Sequence, residues 1–213
     1  MWRKNYHHGH LKTALITAGV EILSKEGLTG LSIRKVARKA GVSHAAPYAH
    51  FADKQALIAA ISTEGYRQLY DELSKAVEGH KDNPQHMLVE VGWAYIQFAM
   101  RAPEHFKTMF SGVIEQEKDY PEFREMSQKS FQLLVKLVRD CQKAGLLTHG
   151  PVDMVAISLL SLVHGFVLLL LESQISHTLL DRINVRTLLI FLLQGLTKSE
   201  LDVMEINSPP YTR

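Results

Sequence analysis

The residues best suited to chemistry lie between Ser32 and Phe51. Cationic side chains with helical spacing come first, and hydroxyl, imidazole and phenol groups follow them. These groups are Arg34, Lys35, Arg38, Lys39, Ser43, His44 and Tyr48. Cations neutralise phosphates, and small polar groups contact base edges and sugars in a duplex groove. The chemistry that this stretch favours is therefore binding of double-stranded DNA.

Two short helices joined by a tight turn are predicted to position these groups. Ser32 is a natural N-cap for the first helix, whose apolar face is made by Ile33, Val36, Ala37 and Ala40. Gly41 ends that helix, because glycine enters the left-handed conformation at little cost. Ser43 is expected to cap the second helix, and Pro47 lies within its first turn or so. The pattern indicates a helix-turn-helix, whose second helix enters the major groove.

Candidate DNA contacts come from both helices and from the start of the next one. They are Arg34, Ser43, His44, Ala45, Tyr48, His50 and Lys54. The second helix carries no Arg, Asn or Gln, so specificity is expected to depend on DNA shape and flanking residues. Lys54 lies in the first turn of a long helix that begins at Asp53, where free N–H groups and an ammonium favour a phosphate.

A basic arm, residues 1–10, precedes the first helix. Its histidines at positions 7, 8 and 10 suggest a metal site, but no further clustered ligands accompany them. An arm that is disordered or contacts DNA phosphates is the preferred interpretation, and we expect no metal.

Charge is unevenly placed along a chain of otherwise ordinary globular composition. The 213 residues are 46% hydrophobic and 22% charged, with a net charge of +2. Residues 1–60 contain nine Lys and Arg against three acids, so the remaining chain is net negative. A basic module on a mildly acidic body suits phosphate binding. Cys141 is the single cysteine, which excludes an intrachain disulfide, indicates a buried thiol and fits a cytoplasmic protein.

One segment is long and apolar enough to cross a bilayer, from Met154 to Leu171. It contains two serines, a histidine and a glycine, and it stands alone in an otherwise amphipathic chain. A helix buried on all sides has the same composition, so we expect no membrane partner. The first residues lack an apolar run, and no signal peptide is expected.

Helical periodicity runs through the whole chain, and no strand pattern or repeat appears. The predicted fold is all-α with nine helices. Residues 1–56 form a three-helix DNA-binding domain, and residues 57–213 form a six-helix ligand-binding and dimerisation domain. Their boundary lies inside a continuous helix that runs to about Gly79.

The stretch SIRKVARKAGVSHAAPYAHFADKQALIAAI resembles the DNA-binding domain of TetR-family transcriptional regulators. The AGVS turn, the aromatic pair Tyr48 and Phe51, and Lys54 carry this resemblance. The segments WAYIQFAMRAPEHFKTMF and LVHGF resemble the Trp-His-Gly (WHG) subfamily, although the tryptophan expected before His-Gly is absent, and His10 replaces the usual Asp or Asn. The resemblance implies a repressor that binds a palindromic operator as a dimer and is released by a small apolar or amphipathic effector.

Large apolar side chains from three consecutive helices of the body are candidates for effector binding. They are Trp93, Phe98, Phe106, Met109, Phe110, Phe131, Val138 and, as a polar member, His164. Such a mixture lines small-molecule sites, and it also fills ordinary helical cores. The residues alone favour a core, whereas the resemblance implies a pocket.

The last two long helices are candidates for a dimer interface. Small residues that permit a close approach alternate there with large apolar ones. The candidates are Ser158, Ser161, Leu162, Gly165, Leu169, Leu188, Phe191 and Leu192. The same pair of helices from a second chain would complete a four-helix interface with two-fold symmetry.

Two other functional classes were compared with this one. An enzyme could use His105 with Glu104, or His164 with Ser161, but no nucleophile elbow, metal-ligand spacing or phosphate-binding loop accompanies these pairs. We therefore expect no enzyme and no cofactor. A DNA-binding protein without an effector remains open as the alternative.

Overall fold

The computed structural model describes residues 8–114 and 116–198, and within them every regular element is helical. The α-helices are α1 (His8–Gly30), α2 (Ile33–Lys39), α3 (Lys54–Gly79), α4 (Pro84–Arg101), α5 (Pro103–Met109), α6 (Pro121–Lys143), α7 (Val152–Leu171), α8 (His177–Leu180) and α9 (Val185–Gln194). This confirms the all-α prediction. The short α8 was not predicted, and the expected second helix of the helix-turn-helix is a 3-10 helix, Ala46–Ala49.

The described chain divides into two compact units. The first combines the residues up to Arg67 with Ala102–Ser127, and the second combines Gln68–Arg101 with the residues from Gln128 onwards. The long helices α3 and α6 each contribute residues to both units. These two units are defined by contacts between residues. The division into a DNA-binding domain, 1–56, and a ligand-binding and dimerisation domain, 57–213, is defined by function and stays a prediction.

The first unit has a core built by α1, α2 and the start of α3. Leu15, Val36, Leu57 and Ile58 are completely buried in it. Val113 and Ile114, from the connection after α5, pack against the same cluster. The core of the helix-turn-helix therefore includes apolar side chains from far along the chain.

The first helix of the helix-turn-helix forms as predicted. The Ser32 hydroxyl accepts a hydrogen bond from Lys35 N at 3.3 Å, which satisfies one free donor of the first turn. Gly41 follows the helix with φ of +70°, a conformation that costs glycine little. Both predictions at the ends of α2 are confirmed.

The second helix differs from its prediction because of Pro47. Proline has no N–H, so the bond that would close an α-turn onto the Ser43 carbonyl cannot form. Instead, Ala46 N donates to Ser43 O at 3.1 Å and Tyr48 N donates to Ala45 O at 3.2 Å. These three-residue spacings define a 3-10 helix. Its N-cap is Ala45 without a side-chain hydrogen bond, so the prediction that Ser43 caps this helix is wrong.

The helix α3 begins where the sequence indicated. Asp53 Oδ1 accepts a hydrogen bond from Ala56 N at 2.8 Å and so caps the helix. Further along, a Cβ on Gly65 would lie 2.5 Å from the Met109 sulfur, so a larger residue there would require the Met109 side chain of α5 to move. The His105 ring nitrogen Nδ1 lies 3.1 Å from Ile61 O. The start of α3 and α5 are thus closely packed within the first unit.

The second unit is centred on contacts among α4, α7 and α9. Phe98, Val138, Val167 and Leu189 are completely buried in it. Cys141 is also buried, and burial raises the pKa of its thiol to about 12. The thiol is therefore protonated at neutral pH and unreactive, which agrees with the prediction of a structural cysteine.

Candidate nucleic-acid interface

The recognition segment, residues 43–51, presents its small and polar side chains to solvent. Ser43, His44 and Ala45 are exposed, and Tyr48 is 55% exposed. Pro47 and Phe51 are buried and fix the segment to the core. Four side chains able to contact a duplex therefore project from a backbone that the buried Pro47 and Phe51 fix to the core.

Local hydrogen bonds explain why this segment keeps its shape without a side-chain cap. Phe51 N and His50 N both donate to Pro47 O at 2.9 Å. With Ala46 N and Tyr48 N, four backbone donors of the segment are thus used within it, and φ at Pro47 is fixed by the ring. The exposed side chains remain available for a ligand, since none is needed to hold the backbone.

An open groove of about 370 Å³ adjoins the recognition segment. Its walls come from the start of α2, from Tyr48 and from the start of α3. They are Ser32, Ile33, Arg34, Tyr48, Ala52, Asp53 and Lys54. Arg34 is exposed and Lys54 is half-buried, so a guanidinium, an ammonium and a phenol surround one opening, where the two cations outnumber the single carboxylate of Asp53. This combination suits a phosphodiester group.

The Lys54 ammonium is held by the protein itself. Its Nζ donates a hydrogen bond to Leu28 O at 2.7 Å. An ammonium has three donors, so two remain for an anion in the groove. The carbonyl therefore restrains the lysine at the rim of the groove, and less side-chain entropy is lost when a phosphate binds.

The cations of α2 fall into two classes. Lys35 pairs with Glu26, and Lys39 Nζ lies 2.5 Å from Glu21 Oε2, both acids being on α1. Hydrogen bonds to these lysines hold the pKa of each carboxyl below its usual value. Arg34 is exposed beside the groove and belongs to neither pair. Two of the four positive charges are thus neutralised within the unit.

His50 lies differently from the other predicted contacts. Its ring is half-buried and its centroid is 6.2 Å from that of Phe51. Its Nε2 is buried and has no hydrogen-bond partner among the described residues. A role in DNA binding remains a prediction for His50.

The predicted effector-binding residues are distributed over both units. Phe106, Met109 and Phe110 belong to the first unit, and the other five belong to the second. Phe98, Phe106 and Val138 are completely buried, whereas Trp93, Phe110, Phe131 and His164 are half-buried. The list of eight remains a prediction, and its partly accessible members are the ones that a small molecule could contact.

A polar pair accompanies the apolar residues of the second unit. Tyr95 OH and His164 Nδ1 share a hydrogen bond of 2.8 Å. Burial lowers the pKa of His164, so the imidazole is neutral at pH 7. The pair offers hydrogen bonding without charge.

One face of α7 is apolar and turned to solvent. Met154 is 68% exposed and Leu169 is 48% exposed, and both belong to a set with helical spacing. We call this set the outer stripe: Met154, Ile157, Ser158, Ser161, Gly165, Leu168 and Leu169. Within a single chain α7 is therefore not buried on all sides, and the prediction that a second chain covers this face stays a prediction. By length and composition alone α7 could cross a membrane, and 33% of its apolar stretch is buried.

The predicted dimer residues all lie at the surface of the second unit. Ser158, Ser161, Leu169 and Phe191 are exposed, and Phe191 reaches 71%. The remaining four, Leu162, Gly165, Leu188 and Leu192, are half-buried. A Cβ added to Gly165 would meet no neighbouring atom, so the space above it is open. An apolar face of this kind is typical of an interface between chains.

No group of three potential metal ligands occurs among the described residues. The arm residue His7 and the side chains of His8 and His10 lie outside the described part, as does the tail after Lys198. The arm's proposed contact with phosphates therefore has no structural counterpart to report.

The sequence analysis did not identify Ala52, Arg186 or Glu90, although all three have notable positions in the structure. Ala52 lines the groove, and only its place between Phe51 and the cap of α3 could have indicated this. Arg186 is buried in α9 and paired with Glu90 of α4. Its signal was one arginine inside an otherwise apolar helical run.

Two family models match the chain. Residues 15–61 match the model described as bacterial regulatory proteins, tetR family. Residues 88–189 match the model described as tetracyclin repressor-like, C-terminal domain. Neither description names the WHG subfamily, which stays a prediction.

Individual proteins are also similar to this chain. The uncharacterized HTH-type transcriptional regulator YobS of Bacillus subtilis is 24% identical over 76% of this chain and 80% of its own length. A protein of unknown function from Rhodococcus sp. RHA1 is 30% identical, with a TM-score of 0.76 over 92% of this chain and all of that one. The TetR-family regulator PfmR from Thermus thermophilus has the same fold, at 19% identity and a TM-score of 0.61 over 72% of this chain and 84% of that one.

Proposed function

Because this chain belongs to the TetR family of transcriptional regulators, we propose that it is a repressor that binds a palindromic operator as a homodimer and leaves it when a small effector binds. The single observation that carries this proposal is the recognition segment. Its Ser43, His44, Ala45 and Tyr48 are exposed on a backbone that Pro47 and buried Phe51 hold in place.

DNA contact is assigned to two groups of side chains. The exposed members of the recognition segment face the bases and sugars of the major groove. Arg34, Tyr48 and Lys54 surround one phosphate in the adjoining groove. His50 is retained as a candidate contact that must turn its ring outwards. With no arginine or amide on the segment, DNA shape contributes a large part of the specificity.

The homodimer forms through the outer stripe of α7 together with the exposed side of α9. These surfaces contain Phe191 and Leu169, whose exposure in a single chain is unfavourable in water. Small residues at Ser158, Ser161 and Gly165 allow two copies of α7 to approach closely. A two-fold axis would then place two recognition segments on two half-sites.

The effector is a small apolar or amphipathic molecule. Half-buried Trp93 and Phe131 supply apolar contacts in the second unit, and neutral His164 supplies a hydrogen bond. The remaining predicted lining residues are carried over as part of the same proposal. Release from DNA requires that the effector binds better to the arrangement that fits the operator poorly. The helix α3, which contributes to both units, is the covalent link through which such a change would act.

The same proposal covers location and chemistry. A regulator of transcription works in the cytoplasm, and the apolar face of α7 then meets a second copy of the chain instead of lipid. No catalytic role, cofactor or resident metal is assigned.

The experiment uses a duplex selected from a randomised pool by the wild-type protein. Affinity is measured by fluorescence anisotropy at several salt concentrations for Tyr48→Ala, Lys54→Ala and the control Lys143→Ala. We expect tenfold or greater losses for the first two and none for the control, with the dimer intact in all three. Lys54→Ala should also lower the slope of log affinity against log salt by about one unit. Normal DNA binding by both variants would contradict the proposal.

An effector-independent repressor is the second candidate, because Phe98, Phe106 and Val138 are packed as core residues are. Native mass spectrometry of the purified protein, followed by thermal unfolding with any molecule found, separates the two. A bound molecule that raises the melting temperature and lowers DNA affinity supports effector control. A protein that binds the selected duplex equally well with and without such a molecule supports the second candidate.

A further inference from the structure

A buried arginine lies at the start of α9. Arg186 is only 5% exposed, although every other buried residue of that helix is apolar. A guanidinium is always charged, and its removal from water is strongly unfavourable unless it is paired. Its position therefore requires a specific set of partners.

Both partners of Arg186 come from one face of α4. The guanidinium pairs with both carboxylate oxygens of Glu90, with Nη1 3.4 Å from Oε2. It also lies 5.5 Å from the ring centroid of Trp93, a cation–π contact. Glu90 and Trp93 are three residues apart and so face the same direction on the helix. The Arg186 Nε has no hydrogen-bond partner among the described residues, so the charge depends on these two contacts.

A close approach of the two helices lies beside this pair. A Cβ on Gly92 of α4 would lie 3.3 Å from the nearest Leu189 carbon, tighter than an ordinary contact. Arg186 and Leu189 are three residues apart on α9, and both face α4. One apolar contact sets the distance between the helices, and one two-pronged polar contact sets the rotation of α9 about its axis.

The rotation of α9 about its axis determines which of its side chains are exposed to solvent. Arg186, Leu189, Ile190 and Leu193 are buried, whereas Phe191 on the other side is 71% exposed. Apolar contacts alone would tolerate a turn of the helix, because leucine and isoleucine can exchange places in a core. A planar fork matched to a carboxylate tolerates much less.

We propose that Arg186 is a positioning residue for dimer formation, which acts through Glu90 and Trp93 to fix the face that α9 presents to a second copy of this chain. The inference rests on the proposed homodimer and deepens it. Buried ion pairs add little net stability compared with apolar pairs of the same size, and some of them determine register. Arg186 belongs to the second kind: it specifies the interface more than it stabilises the monomer.

The test compares the full-length chain with three variants in a Trp2→Phe background, so that Trp93 is the single tryptophan. Glu90→Leu/Arg186→Met replaces the pair by apolar groups, Arg186→Lys keeps the charge without the fork, and Arg182→Met is the exposed control. Sedimentation equilibrium gives the dimer dissociation constant, and urea unfolding gives the stability. Trp93 emission reports the loss of the guanidinium from its ring.

We expect the apolar pair to weaken the dimer at least tenfold while its urea midpoint stays close to that of the background protein. Arg186→Lys should lie between the two, and Arg182→Met should match the background. Trp93 emission should change in the first two variants and not in the control.

Each failure has its own signature. A background protein that is monomeric at tens of micromolar contradicts the homodimer itself. A dimeric background protein with an equally tight apolar variant overturns the positioning role and leaves the homodimer standing. If both the apolar pair and Arg186→Lys fail to fold, the pair is a requirement of folding and the proposal is wrong.

Discussion

The recognition segment and the outer stripe are both exposed, yet they are built by opposite means. The recognition segment has small, polar side chains, and its shape comes from backbone hydrogen bonds around Pro47. The outer stripe has a regular helical backbone, and its character comes from large apolar side chains such as Met154 and Leu169.

The difference follows from what each surface loses on binding. Polar groups that face DNA stay hydrated in the free protein and exchange water for phosphates and bases, so exposure costs them little. Apolar groups gain free energy only when water leaves, so their exposure indicates a covered state. DNA binding by the recognition segment therefore depends on its fixed backbone, whereas binding through the outer stripe depends on the apolar area that is buried. Substitutions should therefore separate the two.

The largest effect is expected from Phe191→Arg. This side chain is 71% exposed, so the monomer tolerates the change, whereas a dimer would bury an unpaired charge. The dimer should weaken by roughly a hundredfold or more, equivalent to about 3 kcal/mol. Sedimentation equilibrium measures this, with Tyr48→Ala as the control that loses DNA binding and keeps the dimer. An unchanged dimer would remove α9 from the interface.

A smaller effect is expected from Pro47→Ala. Alanine restores an N–H that can bond to the Ser43 carbonyl, so the 3-10 helix can relax towards an α-turn. Affinity for the selected duplex should fall about tenfold, while the free energy of unfolding falls by less than about 1 kcal/mol. Anisotropy and urea unfolding measure the two quantities, and Pro103→Ala, at the start of α5, is the matched proline control. If DNA affinity is unaffected, the fixed backbone does not contribute to recognition.

Two serines in equivalent sequence contexts should behave differently. Ser32→Ala removes the cap of α2 and should lower the free energy of unfolding by about 1 kcal/mol. Ser43→Ala removes no cap and should leave stability within about 0.3 kcal/mol, while it weakens DNA binding. Urea unfolding of both variants measures the contrast. Equal losses of stability would mean that Ser43 does cap the recognition segment.

The smallest effect concerns pH. Burial lowers the pKa of His105, so the folded state holds fewer protons there than the unfolded chain does just below pH 6.5. Its stabilising contribution is complete above that pH and decreases as the pH falls. His105→Gln keeps a donor for Ile61 O and should make the stability fall less steeply between pH 7 and 5. Urea unfolding across this range tests it, with exposed His149→Gln as the control; an unaltered slope would contradict the assignment.

Features that depend on a few adjacent residues were predictable from the sequence. The Ser32 cap, the Gly41 turn and the start of α3 are confirmed because each follows from local backbone chemistry. The position of the second helix in the recognition segment was predicted correctly, but it is a 3-10 helix and not the predicted α-helix. Proline at a first helical turn is tolerated in an α-helix, and periodicity does not distinguish four residues of 3-10 from one α-turn.

Features that depend on distant residues were not predictable. Nothing near Lys54 in sequence points to Leu28 O, and nothing near Arg186 points to Glu90. Part of the exposed face of α7 was predicted as a dimer interface. Its exposed Met154, Ile157 and Leu168 were not, because an all-round apolar composition gives no sign of which side meets water. Contacts between distant residues depend on tertiary geometry. In a single sequence, the only indication of them is a residue type that does not fit its surroundings, such as an arginine in an apolar helix.

In the proposed complex, the short recognition segment around the 3-10 helix at Ala46–Ala49 also limits how much of the operator each copy can read. The side chains proposed to face the bases, from Ser43 to Tyr48, lie within six residues. At roughly 2 Å of rise per residue they span about 12 Å, or three to four base steps of about 3.4 Å. So few base pairs recur throughout a genome that offers roughly 10⁶ or more competing sites. The spacing between the two proposed half-sites would then provide much of the specificity for the operator. Insertion of a single base pair between them should affect repression more than many base changes within them.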